Sequence, residues 1–103
     1  MNRANVTTAN FAEYLKAAIE ACQREMSNAQ QAPTNEALIR DLRIALQSLD
    51  GMRAELEGRL PSRPRGRRSA LFTRYLIDEG PQAVMEAHLR DLIVQLEDVY
   101  ARL

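Results

Sequence analysis

Leu38, Leu42, Ala45, Leu49, Met52 and Leu56 follow one another at intervals of 4-3-4-3-4, and Met85, Leu89, Leu92, Leu96, Val99 and Leu103 repeat that rhythm. Apolar residues so spaced fall on one stripe of an α-helix, and a stripe kept up over several turns marks a coiled-coil-like seam. Neither run alternates with period two, so neither suits a strand. Ile39 and Leu46 flank the first stripe as Ile93 and Tyr100 flank the second. Each apolar sector then spans roughly 120° at 100° per residue. Two long amphipathic helices dominate, and the fold class is all-α: a small bundle of about four helices.

The rest of the chain is punctuated around these two. Residues 1–9 are polar and are expected to be disordered. A first helix is expected over 10–28, with Asn10 as N-cap and Glu13 three residues on as a capping-box partner. The first seam helix should cover 35–60. Gly51 lies inside it at a cost of about 1 kcal/mol relative to Ala, yet the seam continues in phase, so one helix is expected rather than two. Pro61 disfavours helical geometry at Leu60 and sets the stop. Residues 61–68, with two prolines and a glycine, read as a stiff basic linker. A short helix follows over 69–79 with Ser69 as N-cap. The last helix is expected over 81–103, with Pro81 at its first position. The whole of 1–103 forms one helical domain.

Five acid–base pairs spaced i,i+4 with the acid first support these helices: Glu20/Arg24, Glu36/Arg40, Glu55/Arg59, Glu86/Arg90 and Asp98/Arg102. Each adds a few tenths of a kcal/mol and marks a solvated face. The two seams could meet as an antiparallel pair. The first helix, ~27 Å long at 1.5 Å per residue, is too short to cover a second helix of about 40 Å. The surplus stripe points to a homodimer.

Chemistry-bearing residues are sparse. The only Cys is Cys22 and the only His is His88, on different helices. Cys22 falls in the apolar sector of its helix and reads as a buried thiol rather than a nucleophile with an adjacent base. Small helical phosphotransfer domains present a reactive His followed by a Lys-Gly element. His88-Leu89-Arg90-Asp91 lacks that element, so His88 reads as a flank residue. No cluster of zinc ligands and no glycine-rich phosphate loop occurs. No catalytic, metal or cofactor residue is therefore assigned, and the chain is not expected to be an enzyme. A lone Cys, no apolar leader in residues 1–10 and no apolar run of roughly 20 residues favour a cytoplasmic protein away from membranes. Thirteen Arg against one Lys is the bias of a GC-rich, bacterial genome.

Charge is balanced overall, at fourteen basic and fourteen acidic residues, but it is segregated. Arg59, Arg63, Arg65, Arg67, Arg68 and Arg74 occupy a window, 59–74, that contains no acid. Such a run can bind phosphate backbones. A helix-turn-helix reading would make the last helix the recognition helix, yet it offers no base before Arg90 and carries Glu86. In the short helix, Leu71, Phe72, Tyr75 and Leu76 spread over about 140° and Ile77 projects about 100° further round. Phe72, Arg74, Tyr75 and Ile77 form a candidate partner-binding set, since Tyr and Arg beside an apolar anchor are common at interface hot spots. The bland alternative wedges this helix between the two long ones. The expected function is that of a small bacterial regulatory or adaptor protein acting by protein–protein contact, as an anti-activator, chaperone or assembly factor does. Nucleic-acid binding through 59–74 is the rival.

Overall fold

The structure, a computed structural model, describes residues 5–58, 70–79 and 85–102. They contain four α-helices and no strand: α1 (Phe11–Ala29), α2 (Glu36–Leu56), α3 (Leu71–Glu79) and α4 (Ala87–Arg102). A single 3-10 turn, Pro33–Asn35, leads into α2. No helix among the described residues is long and apolar enough to cross a membrane.

The start of α1 departs from expectation. Asn10 does precede the helix, but its side chain makes no cap bond into it. Instead Asn10 Oδ1 accepts from the Thr7 amide at 2.7 Å and Thr7 Oγ1 accepts from the Asn10 amide at 3.3 Å. That reciprocal pair is a capping box displaced three residues upstream of Asn10/Glu13. Val6 and Phe11 hold the two positions of a hydrophobic staple around it, and both are buried in the core. The Val6 amide also donates to Gln95 Oε1 on α4 at 3.2 Å. Residues 5–9 are thus an ordered lead-in, not part of a disordered tail.

α2 runs unbroken through Gly51, as the continuous seam implies, but stops at Leu56 rather than near Leu60. Gly58, not Pro61, ends it. With φ +76, Gly58 takes the left-handed conformation that glycine adopts without penalty, and its amide returns to the Glu55 carbonyl at 3.2 Å. α4 begins at Ala87, later than expected. The Glu86 carboxylate accepts from the His88 and Leu89 amides at 2.9 and 2.8 Å and so caps the helix at that point. Those two bonds hold the Glu86 carboxyl below its ordinary value. Pro81, the linker 61–68 and Ser69 lie outside the described residues.

Hydrogen bonds between helices fix the topology. Along α2, Asp41 accepts from the Met85 amide, Ser48 donates to Glu97, and Tyr100 donates to Glu55. Residue numbers rise together on α2 and α4, so these two run parallel, not antiparallel. α1 runs against both: Phe11 at its start stacks on Tyr100 near the end of α4, ring centroids 5.9 Å apart. α3 also runs against α2, since Phe72 lies at the Ser48–Glu97 level and Tyr75 at Asp41. α1 and α3 each pack on both α2 and α4. The result is an up-down-up-down bundle, in which alternating directions make the second and fourth helices parallel.

The core is filled from all four helices. Leu42, Ala45 and Leu49 are fully buried, as are Ile93 and Leu96 of α4. Ile93 and Tyr100, expected as flanks, sit deeper than Leu92, because contact with three neighbours rotates the buried arc of α4 toward them. Most of the surplus stripe is covered, although Leu56 at its end stays 51% exposed. α1 has 19 residues and α2 has 21, about 28 and 32 Å at 1.5 Å per residue, and α3 covers part of the remainder. The mismatch that called for a second copy is absent.

Candidate protein-interaction surface

A nine-residue helix has almost no stability of its own, because helix nucleation costs more than so few backbone bonds return. α3 is therefore held by what it touches. Its first turn ends on the carboxylate of Glu97, only 1% exposed on α4. Glu97 Oε2 accepts from the Phe72 amide at 2.7 Å and Oε1 from the Thr73 amide at 2.8 Å. The Thr73 hydroxyl adds a bond of 2.6 Å and the Ser48 hydroxyl a fourth. One buried carboxylate thus receives four donors from α2 and α3. It caps the first turn of α3 and complements the positive end of its dipole.

The middle of α3 is fixed by Tyr75. Its hydroxyl donates to Asp41 Oδ1, itself fully buried on α2, and accepts from Arg40 Nε at 3.0 Å. Burial, and then the bond to Asp41, push the Tyr75 phenol above its ordinary value, with Arg40 opposing. Asp41 Oδ2 takes the Met85 amide at 3.2 Å, which ties the approach to α4 to the same group.

These bonds sort the expected partner-binding set. Phe72 is fully buried and stacks near Tyr75, ring centroids 6.3 Å apart, so it is an internal anchor and not a surface one. Tyr75 is half-buried and spends its hydroxyl inside the chain. Arg74 and Ile77 stand in the open, Ile77 at 76% exposure. Leu71, at 37%, and exposed Asp78 share their side of the helix. By ideal projection Leu71, Arg74, Ile77 and Asp78 fall within an arc of roughly 120°. Of the basic set, Arg59, Arg63, Arg65, Arg67 and Arg68 lie outside the described residues.

The chain matches no family model, and no curated protein and no solved structure is similar to it.

Elsewhere the described residues offer little to a reaction. Cys22 is fully buried, and burial, with Glu25 and Asp50 nearby, pushes its thiol up to about 12. It is a neutral packing group near pH 7. His88 is exposed at the start of α4. No group of three or more His, Cys, Asp or Glu among the described residues is placed to share a metal ion. The N-terminus of α4 is filled by Glu86, where a bound phosphate would otherwise sit.

The polar anchors escaped the sequence reading, although a signal existed. Asp41, Ser48 and Glu55 recur every seven residues, one position ahead of the seam residues Leu42, Leu49 and Leu56. Three polar groups in phase with a seam form a ladder along its edge, and each finds a partner on α3 or α4 or just before α4. Glu97 likewise lies four residues after Ile93, on the apolar side of its own helix.

Proposed function

We infer that the protein is a small non-catalytic regulatory or adaptor protein, of the anti-activator, chaperone or assembly-factor kind, that acts through the outer face of α3. The observation that carries this reading is Ile77, a large aliphatic side chain left 76% exposed next to Arg74 on a helix pinned from behind. An isolated exposed apolar residue is ordinary. Here the residue sits on a helix that contributes Phe72, Tyr75 and Leu76 to the inside, so its orientation is fixed, and a preorganised helix loses little entropy on binding. The arrangement offers an apolar anchor beside a guanidinium, the pairing common at interface hot spots. A cytoplasmic setting goes with this reading, since Cys22 is a free thiol. Binding of nucleic acid would rest on the arginine run before α3, and of that run only Arg74 stands among the described residues.

The test is a photo-crosslinking amino acid placed at position 77 in cells, with position 23, where Gln23 is exposed on α1, as control. A discrete protein adduct is expected at 77 and not at 23. Equal labelling at both positions would remove the proposal. Ile77→Asp should abolish the adduct formed from a crosslinker at position 74 without altering the helical circular dichroism.

A further inference from the structure

We propose that a second copy of this chain is the occupant of the outer face of α3, the two α3 helices packing antiparallel about a twofold axis; this rests on the reading of that face as an interaction surface. The argument starts from charge. Arg74 and Asp78 are both exposed and four residues apart, yet among the described residues neither makes an ion pair. With the base first, their order within the helix is the less favourable one for pairing with each other. It also sets a cation toward the positive end of the helix dipole and an anion toward the negative end.

An antiparallel copy reverses both faults. A twofold axis near the middle of α3 sets Arg74 of one copy opposite Asp78 of the other, twice by symmetry, as an isologous interface requires. The two dipoles then oppose each other. Ile77 lies between the charges along the helix, at the edge of the same arc, and its counterpart sits close to it beside the axis. Beside it, Ala70 just before α3 and Thr73 of α3, with Val94, Asp98 and Ala101 of α4, line a shallow groove. Ala70, Thr73 and Ala101 are small enough for the backbone of another helix to approach. Gln95 also lines this groove, and its buried Nε2 has no hydrogen-bond partner among the described residues. A nine-residue helix with one adjoining groove falls short of the ~800 Å² per partner of a standard stable interface. The dimer is therefore weak and dependent on concentration, so a foreign partner can displace it from the same face.

The experiment is sedimentation equilibrium of the full chain, from micromolar loading upward, with charge swaps. The wild type should show a reversible monomer–dimer equilibrium. Arg74→Asp puts two anions opposite two anions, and Asp78→Arg two cations opposite two cations. Each alone should weaken association roughly ten- to thirtyfold, as two exposed pairs turn from attraction to repulsion. An equimolar mixture of the two variants should recover a dimer. In the mixed pair the all-acidic face of one variant meets the all-basic face of the other, and the recovery should fade at high salt. Both swaps favour the α3 dipole, so loss of the fold would not account for lost association. A wild type that stays monomeric up to near-millimolar loading overturns the proposal. So does a dimer indifferent to the swaps, or single variants that the mixture fails to rescue. A monomeric wild type that still gives a discrete adduct with another protein at position 77 would defeat the second copy while the broader reading of the face survives.

Discussion

Cys22 illustrates how a residue can be chemically reactive in type and inert in place. A thiol whose pKa burial pushes up to about 12 is almost wholly neutral at pH 7, and the thiolate is the form that reacts. Iodoacetamide should therefore leave the native protein unmodified near pH 8 and label it quickly in urea. Rapid native labelling would mean that the α1 face opens. The shift also links to stability. A thiol whose value is raised on folding keeps its proton better in the folded state. Its contribution is complete below the unfolded value of 9.0 and is lost as pH climbs from there toward about 12. The unfolding free energy from urea titrations should accordingly fall on the alkaline side, by at most ~1.4 kcal/mol per pH unit from this group. Cys22→Ala should flatten that dependence.

At the scale of elements, two glycines in one stretch of chain do opposite things. Gly51 is inside α2, and a Cβ added there would meet nothing within 4 Å. Gly51→Ala should gain about 0.5–1 kcal/mol, from helix propensity and a less flexible unfolded chain. Gly58 stands just past the end of α2 with φ +76. There a side chain crowds the following carbonyl, so Gly58→Ala should lose about 1 kcal/mol or more. Equal effects in denaturant titrations of the two variants would contradict this assignment of the helix end. The continuity of α2 through Gly51 was legible because the apolar rhythm does not skip a beat there. Its stop was not, because Pro61 is the louder punctuation and Gly58 is silent until its backbone angle is known.

For the molecule as a whole, Glu97 is the point at which three helices meet. It sits on α4, takes Ser48 of α2 and receives the first turn of α3. Glu97→Ala would leave two backbone amides and two hydroxyls without that acceptor. Each buried donor left unsatisfied costs about 1–3 kcal/mol. The loss should reach about 3 kcal/mol or more in urea unfolding, with α3 the first segment to lose amide protection in hydrogen exchange. A loss below about 1 kcal/mol, with protection of α3 unchanged, would show that apolar packing alone places this helix. Conversely, Arg74→Ala and Ile77→Ala, on the outer face, should leave stability within about 0.5 kcal/mol.

Periodicity along the chain already dictates that it is helical, roughly where its four helices lie, and that Leu42, Ala45, Leu49 and Met52 point into a core. Periodicity is a local property and survives whatever surrounds the helix. The same pattern marked the short helix as the candidate interaction element and named Arg74 and Ile77 within it. Everything that depends on neighbours was left to the packing. Packing turned α2 and α4 parallel, moved Phe72 from candidate surface anchor to core, and covered most of the α2 seam within the chain. It also made Asp41 and Glu97 interior caps rather than solvated acids. A helix's own pattern gives the direction of its apolar face but not the identity of what covers it. A carboxylate in that face reads as a flaw until the amides of another helix arrive to complete it.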